Sequence, residues 1–130
     1  MKYLGIDYGE KRLGLAVLND AHGFAFPLIV LDNADDLVGK ISKICQENGI
    51  GEIVVGESKN FKQEQNEIMK QVNPFVEKLK EGLGLPVHLH PEFLTSMEAE
   101  RLQGSNKMND ASAAALILKS YLDLKQNHGN

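Results

Sequence analysis

The chain has 130 residues, with 14 Lys and Arg against 18 Asp and Glu, which gives a formal net charge of -4. This length suits one domain of ordinary size. The acidic balance excludes a uniformly basic nucleic-acid binder but leaves room for a local basic patch. A single cysteine, Cys45, excludes a disulfide framework and a multi-cysteine zinc site.

Neither a signal peptide nor an apolar run of membrane-spanning length is apparent in the sequence. Hydrophobic residues make up 42 % and charged residues 25 %, as is typical of a globular protein. We therefore expect a cytoplasmic chain without a membrane partner, folded as one domain over residues 1–126 with a polar tail at 127–130.

Three apolar runs open the chain, at residues 2–7, 13–18 and 24–31. Short polar links, 7–12 and 19–23, separate them, and such links are typical of hairpins rather than helical crossovers. The pattern predicts three antiparallel strands.

The rest of the chain alternates between helical and strand-like patterns. Helical spacing indicates four helices, over about residues 34–48, 63–81, 95–104 and 110–125. We expect Asp32 or Asn33 to cap the first of them and Gly49 to end it. Strands at 52–56 and 85–90 each follow a helix, so they should pair in parallel. The order predicts an α/β fold of the ribonuclease-H-like class, with a mixed five-stranded sheet and helices on both faces.

Three acidic residues stand at the ends of these predicted elements. Asp7 ends the first strand and precedes the turn residue Gly9, Glu92 follows the fifth strand, and Asp110 opens the last helix. Each also has a plain structural explanation, as an Asx-turn residue, a solvated loop carboxylate and a helix N-cap, respectively.

In a ribonuclease-H-like sheet the three acidic positions can converge. Clustered carboxylates repel one another unless they bind cations. Two divalent ions bridged by acidic residues can activate water and stabilise the leaving oxygen of a phosphodiester. The set Asp7, Glu92 and Asp110 therefore predicts a Mg²⁺- or Mn²⁺-dependent nuclease that needs no Ser or Cys nucleophile.

The sequence resembles the YqgF/RuvX family of Holliday-junction-resolvase-like pre-16S rRNA nucleases. The resemblance begins with GIDYGEKRLGLAVLND at 5–20 and continues with Val54-Val55-Gly56, Glu92 with Leu94-Thr95-Ser96, and Lys107 with Asp110, Ala113 and Ala114. It implies that the three carboxylates bind metal and are catalytic, that the substrate is an rRNA precursor or branched DNA, and that ribosomal particles are partners. It leaves a homodimer open.

The chain also departs from the family pattern. Glu57 and Ser58 stand where Leu-Pro is usual, and Pro91 and Phe93 flank Glu92 where Asp and Arg are usual. Loss of the arginine removes a bidentate phosphate contact, whereas Glu57 offers a fourth carboxylate for the metal site.

Several basic residues, two histidines and the cysteine are further candidates for a functional role. The candidate phosphate contacts are cations in loops or at helix ends: Lys11, Arg12, Lys59, Lys62, Arg101 and Lys107. His88 and His90 alternate on one strand and so share a face; we favour an edge-strand pair over a zinc pair, since no third ligand has a signature spacing. Cys45 lies on the apolar face of its helix, which favours a core residue over a nucleophile.

The leading hypothesis is a metal-dependent nuclease that processes the 5′ end of pre-16S rRNA. One alternative is a resolvase acting on DNA junctions. Another is an RNA- or ribosome-binding factor that cleaves weakly or not at all, which the acidic charge and Phe93 favour. Half of an actin-like sugar kinase or ATPase is disfavoured, because such enzymes close two domains around ATP and 130 residues supply one.

Overall fold

A computed structural model describes residues 1–9, 11–57, 69–91 and 110–128, apart from the side chains at 57, 69–71, 91, 110 and 126–128. The strands are β1 (Lys2–Tyr8), β2 (Arg12–Asn19), β3 (Phe24–Asp32), β4 (Ile50–Glu57) and β5 (Val87–Pro91). The helices are α1 (Leu37–Asn48), α2 (Met69–Leu83) and α3 (Asp110–His128). The predicted short helix at 95–104 lies outside the described residues.

The five strands form one mixed sheet in the order β3-β2-β1-β4-β5. The pairs β1–β2 and β2–β3 are antiparallel, whereas β1–β4 and β4–β5 are parallel. Both parts of the prediction are thus confirmed. The two hairpins follow from short polar links, and the two parallel pairings follow from helical crossovers.

Helices cover both faces of the sheet, as expected. Alternation along β1 sends Leu4 and Ile6 into a core cluster with α1 and α2, and Tyr3 into a second cluster with α3. Continuous apolar strands are what a sheet covered on both faces requires. No described helix is long and apolar enough to cross a membrane.

The start of α1 differs from the prediction. Neither Asp32 nor Asn33 caps this helix: it begins at Leu37, and Asp36 occupies the N-cap position without a side-chain hydrogen bond to the backbone. The Asn33 amide is engaged elsewhere, because its Nδ2 donates to the Gly9 carbonyl at 2.9 Å. The predicted end is confirmed, since Gly49 closes the helix with a left-handed φ of 66°.

The other two helices match their predicted positions with shifted ends. The described part of α2 runs to Leu83, contains Pro74 within the helix, and buries Val72, Val76 and Leu79 against the sheet as expected. The predicted first turn of α2, at 63–68, lies outside the described residues. Helix α3 ends at His128 rather than near Lys125.

Candidate active site

The parallel strands bring two acidic chain positions, Asp7 and Glu57, to one edge of the sheet. Strands β1, β4 and β5 run in the same direction, so their carboxyl ends meet at that edge. Asp7 is the second-last residue of β1, and Glu57 pairs with Pro91 at the ends of β4 and β5. Glu92 directly follows Pro91 in the sequence and lies outside the described residues. We call this carboxyl edge of β1, β4 and β5 the acidic edge.

The side chain of Asp7 belongs to the α3 face of the sheet. On β1, the Tyr3 ring lies 6.0 Å from the Tyr121 ring of α3, and Gly5 lies directly beneath Leu118. Since side chains alternate along a strand, Asp7 shares the face of Tyr3 and Gly5. Asp7 is half-buried there.

The start of α3 lies level with Asp7. Along β1, Tyr3 contacts Tyr121 and Gly5 contacts Ala114, so helix and strand run in opposite directions. Asp110 precedes Ala114 by four residues, about 6 Å of helix, while Asp7 follows Gly5 by two residues, about 6.7 Å of strand. The backbone thus places the first residue of α3 at the acidic edge, on the face to which Asp7 belongs.

A glycine in β1 makes this close approach possible. A Cβ atom at Gly5 would lie 2.5 Å from Leu118 Cγ and 2.8 Å from the Ala114 carbonyl oxygen. The small residues Ala111, Ala114 and Ala115 of α3 are buried, and their size lets the helix lie close to the sheet. The role of Gly5 was missed, although an isolated glycine inside a strand is a known signal for close backbone approach.

The turn between β1 and β2 places two predicted phosphate contacts beside Asp7. Asp7 pairs with Gly14, and β2 begins at Arg12, so Lys11 and Arg12 lie at the same edge of the sheet. The Lys11 side chain is exposed. The turn is tight, since a Cβ atom at Gly9 would lie 2.6 Å from the Arg12 carbonyl oxygen.

The remaining predicted site residues are beyond what the structure describes. Glu92, Lys59, Lys62, Arg101 and Lys107 lie outside the described residues, and only the backbone is described at Glu57 and Asp110. Among the described residues, no group of three or more His, Cys, Asp or Glu side chains is placed to hold a metal ion.

The two histidines of β5 pack against α3. His88 stacks on the Tyr121 ring with centroids 5.7 Å apart, and His90 Nε2 lies 2.9 Å from Ser120 Oγ. Both therefore share one face of the edge strand, as predicted. Burial lowers the pKa of His90, which favours the neutral ring. These contacts with Tyr121 and Ser120 pack β5 against α3, which is a structural role for the pair.

Cys45 is a core residue, as predicted. It lies in the cluster beneath α1 and is 5 % exposed. Burial raises the pKa of the Cys45 thiol to about 11, so the thiolate form needed of a nucleophile is suppressed at neutral pH.

We expect Cys45 to resist thiol reagents while the chain is folded. Raising a thiol pKa from 9.0 to about 11 lowers the thiolate fraction roughly a hundredfold near pH 8, and burial adds steric protection. Labelling with 5,5′-dithiobis(2-nitrobenzoic acid) should therefore proceed at least about a hundredfold more slowly in buffer than in 6 M guanidinium chloride. Equal rates in the two solutions would contradict the burial of Cys45.

The chain thus has a ribonuclease-H-like fold, in which the central strand carries Asp7 one residue before its end at the acidic edge. The profile of the family described as "RuvX: Holliday junction resolvase" matches residues 1–124. The chain belongs to this family.

Curated relatives match over nearly their full lengths. Proteins named "Putative pre-16S rRNA nuclease" are 35 % identical in Dictyoglomus turgidum, covering 95 % of this chain and 94 % of the relative, and 37 % identical in Nitratidesulfovibrio vulgaris, covering 98 % and 96 %. The relative in Geobacillus kaustophilus is 36 % identical, covering 97 % and 100 %. These relatives are of about the same length as this chain. They give no support to the alternative that the chain is half of an actin-like kinase or ATPase.

Solved structures give the same fold. Thermus thermophilus RuvC in complex with a Holliday junction substrate superposes with a TM-score of 0.63 at 18 % identity, covering 98 % of this chain and 97 % of that one. The fowlpox virus Holliday junction resolvase superposes with a TM-score of 0.56 at 9 % identity, covering 95 % and 99 %. At these identities the similarity establishes the ribonuclease-H-like fold.

Proposed function

We propose that this chain is a metal-dependent nuclease that cleaves structured nucleic acid, and that its substrate is the 5′ end of pre-16S rRNA. The observation that carries the proposal is the position of Asp7, at the acidic edge and level with the start of α3. Membership of the RuvX family and the names of the relatives support the same activity. The chain would act in the cytoplasm on ribosomal particles or free precursor RNA.

In this proposal Asp7, Glu92 and Asp110 hold Mg²⁺ or Mn²⁺ and are the catalytic residues. Carboxylate oxygens are the donors that both ions prefer. Glu57 is a candidate fourth donor, because its strand ends at the acidic edge. The bound ions would supply the charge that activates water and stabilises the leaving oxygen. The chain's own contribution is to hold Asp7 on a strand and Asp110 on a helix, which are more rigid than a loop.

The proposed phosphate contacts compensate for the acidic net charge. Lys11 and Arg12 lie beside Asp7, and the proposal adds Lys59, Lys62, Arg101 and Lys107 from outside the described residues. Because each of these cations would release a counterion from a phosphate, the affinity for RNA should fall as the salt concentration rises.

Replacing Lys11 with Ala should weaken RNA binding by roughly 3- to 10-fold at low salt and lower the slope of log Kd against log salt by about 1. The physical reason is the loss of one exposed cation at the acidic edge. Filter binding or anisotropy across a potassium chloride series measures both quantities. Lys2→Ala is the matched control, since Lys2 is also exposed but begins β1 at the opposite edge of the sheet. Equal slopes for the two variants would contradict the proposed contact.

A cleavage assay decides between RNA and DNA as substrate. The protein is incubated with precursor 16S RNA, with its mature counterpart and with a four-way DNA junction, each with Mg²⁺ or Mn²⁺. The proposal expects cleavage of the precursor at its 5′ end and slower cleavage of the junction. Faster cleavage of the junction would favour the DNA alternative. The structural similarity to RuvC bound to a Holliday junction is the observation that supports that alternative.

A second candidate function is that of an RNA- or ribosome-binding factor with little or no cleavage. It is favoured by Pro91 and Phe93, which stand where the family usually has Asp and Arg. Binding of the precursor RNA without turnover in Mg²⁺, Mn²⁺ or Co²⁺ would select this function and refute the nuclease.

A further inference from the structure

We infer that Asn33 is a positioning residue for the candidate active site, a role that rests on the proposed function. Asn33 lies immediately after β3, far from Asp7 in the sequence. Its side-chain Nδ2 donates to the Gly9 carbonyl at 2.9 Å, and its backbone N–H donates to the Lys11 carbonyl at 2.9 Å. One residue thus holds both sides of the turn that follows Asp7.

The described residues at this turn have close backbone contacts. The pairing of β1 with β2 continues up to this turn, as far as the pair Tyr8 and Leu13. Within it, Gly9 approaches the Arg12 carbonyl so closely that a Cβ atom would be only 2.6 Å away. A displacement of this turn is therefore passed to the end of β1 and to Lys11. The same short segment carries the proposed metal-binding carboxylate and an adjacent proposed phosphate contact.

The Asn33 amide is the part of this arrangement that the backbone does not supply. The bond from its N–H to Lys11 exists with any residue other than proline at this position, whereas the bond to Gly9 requires a side-chain donor of this length. The amide is partly buried, so water replaces it only in part when it is removed. Misplacement of a reacting group by about 1 Å can lower a rate by about a hundredfold.

The chain offers a closely matched control. Asn48 Nδ2 also donates to a backbone carbonyl, that of Ile44, also at 2.9 Å and also partly buried, but at the far end of α1. Asn33→Ala and Asn48→Ala remove the same chemical group and the same kind of bond without changing the charge. Any difference between them therefore reports location rather than the general effect of losing such a bond.

The test compares wild type, Asn33→Ala and Asn48→Ala in thermal melting, Mn²⁺ affinity by calorimetry, RNA Kd, and kcat for cleavage. Both variants should stay folded at the assay temperature, with melting temperatures within several degrees of wild type. We expect Asn33→Ala alone to weaken Mn²⁺ binding and to lower kcat, each by about tenfold. This is smaller than the roughly hundredfold loss of rate that misplacement by about 1 Å can cause. The RNA Kd should stay within about threefold of wild type.

A purely structural role would instead affect the two variants alike. Equal Mn²⁺ affinities for the two variants, or a fall in kcat that follows the melting temperature in both, would overturn the positioning role. A wild type that binds Mn²⁺ but does not cleave refutes the proposed nuclease, while the Mn²⁺ affinities still decide the role of Asn33. A wild type that binds no Mn²⁺ overturns both proposals.

Discussion

Asp7→Asn should lower the rate of RNA cleavage at least a hundredfold while the chain remains folded. The substitution keeps the size of the side chain and removes the charge through which the proposed site binds its metal. Loss of about 3 kcal/mol of transition-state stabilisation corresponds to roughly a hundredfold in rate. The fold should tolerate the change, because Asp7 is half-buried at a sheet edge rather than in either core cluster.

The measurement is single-turnover cleavage at saturating protein, together with Mn²⁺ affinity and the melting temperature. Asp123→Asn is the matched control, since it removes the same charge from an exposed position on α3 that follows Tyr121. The control should cleave within about twofold of wild type, as is usual for surface changes away from a site. Retained cleavage in Asp7→Asn, in protein free of contaminating nuclease, would refute the proposed function.

Gly5→Ala should lower the free energy of unfolding by about 2–3 kcal/mol, the upper part of the range for overpacked cores. Its added methyl group would lie 2.8 Å from the Ala114 carbonyl oxygen, which belongs to the backbone of α3 and cannot move alone. The helix must therefore shift away from β1. For a chain of 130 residues this corresponds to a fall in melting temperature of roughly 6–12 °C.

The same shift should separate the start of α3 from Asp7. Gly5→Ala is thus expected to lose cleavage activity even at temperatures well below its own melting point. Gly39→Ala is the control, because a Cβ atom at Gly39 in α1 has no heavy atom within 4 Å. It should stabilise the chain by about 0.5 kcal/mol, since alanine favours a helix over glycine. Two variants with equal stability and equal activity would show that the contact at Gly5 is unimportant.

Local patterns were sufficient to predict most of the fold. Apolar runs between turn residues predict the strands, and links too short for a helix predict the hairpins. The parallel pairing of β4 follows from the helix that precedes it. Gly49 was predicted correctly because the end of a helix depends on a residue within the same turn.

The errors arose where a side chain found a partner distant in the sequence. Asparagine is a common N-cap residue, but the Asn33 side-chain amide donates a hydrogen bond to the carbonyl of Gly9, which is 24 positions away. The role of Gly5 depends on a helix more than a hundred residues later. For Asp7, one feature was predictable and the other was not. Its place near a strand end follows from the local pattern, but its position beside α3 follows from tertiary packing.

The packing of α3 on β1 also determines when a site can exist during synthesis. β1 leaves the ribosome first, but the helix that lies over Gly5 begins only at residue 110, after all five strands. The two sides of this contact are more than a hundred residues apart, so during synthesis it can form only after α3 has been made. A nascent chain that is paused or cut before residue 110 carries Asp7 without the helix that begins at Asp110, the other described position of the proposed site. Cleavage through the proposed site would therefore require synthesis to continue through α3.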